Sequence, residues 1–147
     1  MNFREATVAD IPQLSFVRLS VKENALSNPA LVTVDDYVQF LTVRGKGWAC
    51  EAEGRIVGFA IGDLAANNVW ALFIQPGYEG QGIGRQLLTQ LLNWYFSNTS
   101  ATIWLGTAPG TRAEQFYRSF GWQPTGKQPN GEIRFELTAS AWAALNE

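Results

Sequence analysis

Residues 70–96, WALFIQPGYEGQGIGRQLLTQLLNWYF, constrain this chain of 147 residues more than any other stretch. An apolar run meets Pro76, passes a turn holding Gly80, Gly82 and Gly84, and enters a segment with Leu87, Leu88, Leu91, Leu92 and Tyr95 on one face. That pattern is a strand, a glycine turn and an amphipathic helix shaped to lie on a sheet. Glycines at such a turn leave backbone N–H groups bare at the helix N-terminus, where the macrodipole also favours negative charge. One glycine is ordinary there, but three alternating ones cost conformational entropy and need a reason. The turn is a candidate phosphate cradle.

Two phosphate motifs do not fit it. A Walker loop needs GxxxxGK[ST], with a lysine and a hydroxyl to serve phosphate and magnesium, and nothing here matches. A dinucleotide fingerprint needs GxGxxG and an acidic residue about 20 positions on. Its third glycine is missing, and no carboxylate stands near Trp104.

Composition narrows the chemistry further. A content of 46% hydrophobic and 16% charged residues describes an ordinary globular chain, expected to form a single domain over 1–147. The net charge of −2 offers nothing to nucleic acid or to an anionic membrane as partner. There is no histidine, which removes Ser–His and Cys–His catalysis and most zinc sites, so no metal is expected. The single cysteine, Cys50, forms no internal disulfide and reads as a small buried hydrophobe, in keeping with a reducing compartment. With no signal-like segment and no membrane-length apolar run, the expected location is cytoplasmic.

Along the chain, residues 3–6 read as a first strand. Thr7 and Asp10 form a capping start for a helix carrying Ile11, Leu14, Val17, Leu19 and Val21. Residues 23–29 are turn-rich, and Thr33 caps a second helix reaching about residue 43. Strands follow at 48–52 and 56–61 around Glu53-Gly54, then at 69–75. After the helix from Gly84 come a strand at 101–106, a helix at 112–120 stopped by Gly121, and a strand at 133–137 beyond a Pro/Gly/Asn-rich loop. The order is α/β with a mixed sheet. Trp48, Trp70 and Trp104 fall on strands and read mainly as core, with an acceptor-pocket wall as the alternative for Trp70 and Trp104.

Residues 72–88, LFIQPGYEGQGIGRQLL, resemble the acetyl-CoA-binding motif of the GNAT family of N-acetyltransferases, Q/R-x-x-G-x-G/A after a strand ending in a V-x-P-like sequence. Residues 112–122, RAEQFYRSFGW, resemble the family's second signature, and residues 3–14, FREATVADIPQL, its opening strand and helix. The resemblance covers essentially the whole chain. It implies the GNAT fold, a mostly antiparallel mixed sheet split between strands 4 and 5 and flanked by helices.

It also implies roles. Acetyl-CoA is the donor, its arm lying along backbone groups of Leu72, Phe73 and Ile74, one of which polarises the thioester carbonyl. N–H groups of Gly80, Gln81, Gly82, Ile83, Gly84 and Arg85 wrap its pyrophosphate, with Arg85 either adding a charge-assisted contact or simply solvated. Tyr117 occupies the place of a general acid beside the leaving sulfur, or packs against Phe116. With reference values of about 10 for a phenol and about 8.5 for a thiol, full proton transfer is uphill by roughly 2 kcal/mol. An amine of pKa about 10.4 needs roughly 4.6 kcal/mol to present its free base at pH 7, so a carboxylate or water helps it. Glu23 is the expected base, beside Asn24 as an acceptor-orienting residue, with Asp63, Glu51 and Glu132 as rivals.

Two positions depart from the family pattern. Glu79 stands where Arg or Gln is usual, so its carboxylate is expected to point to solvent while its backbone takes part. Gly110 stands where many relatives carry asparagine, which removes one polar contact. The reading that results is acetyl transfer to a primary amine of a small molecule or peptide, with a homodimer compatible with family habit. The alternative is a CoA-binding or sensing module without turnover.

Overall fold

The computed structural model describes residues 1–21 and 32–146. Its strands are β1 (Asn2–Glu5), β2 (Gly45–Ala52), β3 (Arg55–Asp63), β4 (Asn68–Ile74), β5 (Ile103–Thr107), β6 (Gln123–Lys127) and β7 (Ile133–Leu137). They form one sheet in the order β1-β2-β3-β4-β5-β7-β6. The helices are α1 (Ile11–Ser20), α2 (Val34–Thr42), α3 (Ile83–Asn98), α4 (Arg112–Phe120) and α5 (Ala139–Leu145). Every neighbouring strand pair is antiparallel except β4 with β5. This is the mixed, mostly antiparallel sheet expected from the sequence.

The period of two along the strands sorts residues to two faces. On one, Ala49, Phe59, Ile61 and Ala71 pack against Leu14 and Val17 of α1 and Tyr37 and Leu41 of α2. On the other, Cys50, Val57, Ala60 and Leu105 meet α3, whose Leu87, Leu88, Leu91, Leu92 and Tyr95 are all fully buried. Burial also raises the pKa of the Cys50 thiol, so it stays an inert core group.

Local sequence fixes where the helices begin. The Thr33 hydroxyl accepts from the Asp36 N–H at 3.1 Å while the Asp36 carboxylate accepts from the Thr33 N–H at 2.9 Å, a reciprocal capping box. At the start of the chain, Asp10 accepts from the Thr7 N–H at 2.8 Å and from two nitrogens of Arg4 at 2.8 and 2.9 Å.

The structure departs from the sequence expectation in three places. Leu19 is 53% exposed, because 100° steps from Leu14 and Val17 bring Arg18, not Leu19, to the sheet. Part of the stretch read as loop is β6, fully exposed and carrying Pro124 and Gly126, held by its pairing with β7. Beyond β7 lies α5, capped by the Thr138 hydroxyl on the Ala141 N–H and seated by Trp142 stacked on Phe120 at 6.2 Å.

Between β4 and β5 the sheet opens. These parallel strands share one pairing, Asn68 with Trp104, beside a Trp104 N–H to Asn67 C=O bond of 3.0 Å. From there they diverge. The rest of the β4 edge is left with N–H and C=O groups that need a partner.

Candidate active site

The glycine turn sits at the wide end of that split. Gly82 caps α3 at φ +83°, with Gly80 at +75°, conformations that side-chain-bearing residues rarely adopt. The first bond of the helix runs from the Gln86 N–H to the Gly82 C=O at 3.1 Å. That leaves the N–H groups of Ile83, Gly84 and Arg85 without an intrahelical acceptor. A Cβ at Gly80 or Gly82 would meet no protein atom within 4 Å, so the space beside the turn is open to a ligand. Gly58 of β3 draws this end of α3 onto the sheet: a Cβ there would lie 2.9 Å from the Ile74 side chain and 3.1 Å from that of Ile83.

The strand edge reaches the same space. The Gln75 N–H donates to the Val57 C=O at 2.8 Å, in register with the Phe59–Phe73 pair. Alternation then turns the backbone groups of Leu72 and Ile74 toward the split and those of Phe73 toward β3. This corrects the expectation for Phe73, whose backbone groups face β3 and whose side chain lines the cavity from the α1–α2 face.

A cavity of about 780 Å³ joins these parts. Every predicted cofactor contact except Gln81 lines it, and so does Tyr117. The volume lies within the range of small-molecule sites, about 300–1,000 Å³. An anion-binding turn, a bare strand edge and an apolar wall around Phe116 suit a long molecule with a charged middle and an amide-bearing arm, so acetyl-CoA fits. Among the described residues no three His, Cys, Asp or Glu groups converge to hold a metal.

Tyr117 is 6% exposed, between Phe116, Trp122 and Phe135 at ring distances of 5.3, 5.8 and 6.1 Å. Burial pushes its hydroxyl well above the ordinary phenol value, so it is a proton holder at any physiological pH. Arg85 lines the cavity with its guanidinium carbon 4.9 Å over the Phe120 ring. Glu79 is exposed, as expected, but it folds back: its carboxylate accepts from the Gly77 N–H at 2.6 Å. Backbone N–H groups of the turn hold that carboxyl below its usual pKa. Gly110, at φ +78°, donates its N–H to Glu114 at 2.7 Å and so joins the cap of α4.

The candidate bases separate. Glu23 and Asn24 lie outside the described residues. Asp63 is buried, accepting from Arg44 at 2.9 and 3.3 Å and from the Ala65 N–H at 2.8 Å. Glu51 is bound to Arg4 at 2.6 Å. Glu132 accepts from Asn130 and packs over Gly106. None of these three lines the cavity, and each has a structural duty. The tryptophans are likewise outside its lining: Trp48 is core, Trp70 stacks on Phe40 at 4.0 Å, and Trp104 donates its indole N–H to the Ala66 C=O.

A sequence profile of the acetyltransferase (GNAT) family matches residues 14–122. The chain belongs to that family. Uncharacterized N-acetyltransferases of Mycobacterium tuberculosis and Mycobacterium bovis are 33% identical over 91 residues, which is 59% of this chain and 55% of theirs. The chain therefore spans about half the length of these curated relatives. The GNAT fold recurs in the ribosomal-protein-S18-alanine N-acetyltransferase of Escherichia coli (TM-score 0.73, 19% identity, 94% of this chain and 93% of that one). It recurs also in the ribosomal-protein-alanine N-acetyltransferase of Brucella melitensis (0.76, 24%, 94% and 99%). The PaiA N-acetyltransferase of Thermoplasma acidophilum, solved with coenzyme A, gives 0.78 at 13% identity over 93% and 98% of the two chains. Acetyl-CoA-dependent acetyl transfer is the general chemistry of a GNAT domain, and no helix among the described residues is long and apolar enough to cross a membrane.

Sequence reasoning missed several groups at or near the cavity, Tyr78 and Arg112 of its lining among them. Phe116 and Val21 line it directly. Arg18 stands behind Phe73, its guanidinium carbon 4.7 Å over that ring. The signal for Arg18 was readable: a charge four residues after Leu14 and seven after Ile11 belongs on the apolar stripe of its helix.

Proposed function

We propose that this GNAT domain moves the acetyl group of acetyl-CoA to a primary amine of a small molecule or peptide by direct attack, in the cytoplasm. One observation carries the reading: a single cavity brings together the glycine turn, the bare edge of β4 and Tyr117. Acetyl-CoA supplies an activated acyl carbon held by a thioester. The turn binds its pyrophosphate through the N–H groups of Ile83, Gly84 and Arg85, and the Leu72 and Ile74 edge pairs with its arm. An edge N–H then donates a hydrogen bond to the thioester oxygen as negative charge develops on that oxygen. The amine nitrogen forms the new C–N bond, the C–S bond breaks, and the nitrogen gives its proton to water or to a carboxylate. Tyr117 donates its O–H to the departing sulfur. Because burial holds that proton tightly, Tyr117 acts more by hydrogen bonding than by complete transfer.

A CoA-binding module without turnover is the second reading. Glu79 favours it, since its carboxylate already occupies the Gly77 N–H at the rim of the cradle. Incubation with acetyl-CoA, a thiol indicator and a broad amine panel separates the two. Acceptor-stimulated CoA release is expected; tight acetyl-CoA binding with no release from any amine favours the module.

A further inference from the structure

Arg18 is half-buried on α1, next to the fully buried Val17, with its guanidinium carbon 4.7 Å over the Phe73 ring and 5.6 Å from the Trp70 ring. Among the described residues its Nε and Nη1, both shut from solvent, have no hydrogen-bond partner. The Tyr37 hydroxyl beside it favours the charged form, yet that hydroxyl also makes no hydrogen bond of good geometry. Burial lowers the pKa of the guanidinium, but an arginine stays charged through such shifts. Two guanidinium nitrogens shut from water with no carboxylate among the described residues are costly to keep, and they call for a partner.

The same molecule shows such a site complete. The guanidinium carbon of Arg44 lies 5.0 Å over the Phe40 ring, while its Nε and Nη2 donate to the Asp63 carboxylate at 3.3 and 2.9 Å. Arg18 has the aromatic half of this arrangement and, among the described residues, no carboxylate half. Its place is informative. Phe73, the ring beneath it, is a wall of the large cavity, and so is Val21, whose N–H turns back to the Arg18 C=O at 3.3 Å. Arg18 therefore stands one ring away from the cavity, on the α1–α2 face of the sheet. Gly84 and Phe116 line the cavity from α3 and α4, on the other face.

We propose that Arg18 binds a carboxylate of the acceptor, so that the acceptor is an amino-acid-like molecule and not an alkylamine or polyamine. The proposal rests on the acetyl-transfer reading of the cavity. With the guanidinium swung from the Phe73 ring toward the cavity, an entering carboxylate supplies the missing acceptors as charge-assisted hydrogen bonds. Phe73 and Trp70 give its carbon skeleton a flat apolar floor, and the amine end extends toward the β4 edge. A polyamine would instead set a second cation against Arg18 and be repelled.

The test uses matched probes: glycine, β-alanine, γ-aminobutyrate and the common α-amino acids, each beside its own carboxamide. Calorimetry on the CoA-saturated protein reads binding, and CoA release from acetyl-CoA reads turnover. The acid of at least one pair should bind and react about 10-fold or more better than its amide, as a charge-assisted contact to guanidinium predicts. Arg18→Met, which removes a buried unpaired charge and should melt no lower than the wild type, should erase that advantage and leave acetyl-CoA affinity intact. Arg18→Lys should restore only part of it, because the ammonium lacks the planar fork. The proposal is overturned if no acid outperforms its amide, or if Arg18→Met weakens acid and amide equally. Arg18-dependent binding of acids without CoA release from any probe sinks the transfer reading and leaves the carboxylate site standing. Turnover of simple amines with acids inert does the reverse.

Discussion

The two sides of β4 are built by different means. On the α3–α4 side the proposed binding groups are backbone: N–H groups at a helix start and the unpaired edge of a strand. On the α1–α2 side they are side chains, Tyr37, Trp70 and Phe73 around Arg18, a cation with no carboxylate partner among the described residues. A backbone cradle depends on glycines and on the position of an element, so many sequences make the same one. A side-chain pocket changes with each substitution. The lesson is that the donor is read from geometry and the acceptor from individual charges.

The strongest way to break the backbone half of this contrast is Gly82→Val. No protein atom lies within 4 Å of a Cβ at Gly82, so the fold should survive. The valine nevertheless occupies the anion's space and resists a positive φ, at a stability cost of about 1–3 kcal/mol. Acetyl-CoA affinity should fall by about 100-fold or more in calorimetry as the helix-start donors are blocked. Unchanged affinity in a folded variant would remove the cradle from the site.

Tyr117→Phe separates chemistry from binding. The expected drop in kcat is about 100-fold, at the low end for a general acid, with acetyl-CoA affinity nearly unchanged. Equal losses in both would reduce Tyr117 to packing. Its raised pKa has a second consequence, with a definite sign. Below about pH 10 the folded and unfolded chains both hold this proton. Above it the unfolded chain ionises first and binds fewer protons, so stability falls as pH rises. Tyr117→Phe should flatten part of that alkaline fall in denaturant melts, while Tyr37 and Tyr95, also shifted upward by burial, account for the remainder.

Asp63→Ala tests whether the carboxylates outside the cavity are only structural. It leaves Arg44 unpaired and two backbone N–H groups unserved, which should cost about 2–3 kcal/mol in urea melts. The acetyl-CoA affinity and the acceptor profile should not move. A changed acceptor profile would return Asp63 to the list of bases.

Why the two halves differed in legibility follows from the same physics. The α3 stripe, the capping residue Thr33 and the glycine turn are local signals, since each rests on residues within a few positions of one another. Those signals were enough to place the helices and the glycine turn, while the split followed from the likeness to the GNAT family. The β6 strand left no such trace: its polar residues, Pro124 and Gly126 are held extended by β7, a partner that the sequence pattern does not reveal. The acceptor side was less legible for a related reason. Asp63 and Glu51, rivals to Glu23 as the base, are engaged by Arg44 and Arg4 across the fold, and no local pattern shows those pairings. The informative residue was a cation on a buried helical stripe, whose missing partner only the three-dimensional arrangement discloses.

Arg85 marks the boundary of the contrast, as a side chain on the backbone-built side. It could serve the pyrophosphate through its charge, yet its guanidinium lies over the Phe120 ring and its side chain is exposed. Stacking at an exposed site contributes about 0.5–1 kcal/mol, and a solvated ion pair with phosphate adds a similar amount at low salt. Arg85→Ala should therefore weaken acetyl-CoA binding by only about 2- to 5-fold, and the difference from wild type should shrink as salt is raised. A loss near 100-fold that persists at high salt would mean that Arg85 leaves Phe120 and binds the pyrophosphate as a shielded partner. The donor site would then depend on a side chain as much as the acceptor site does, and the contrast across β4 would fail.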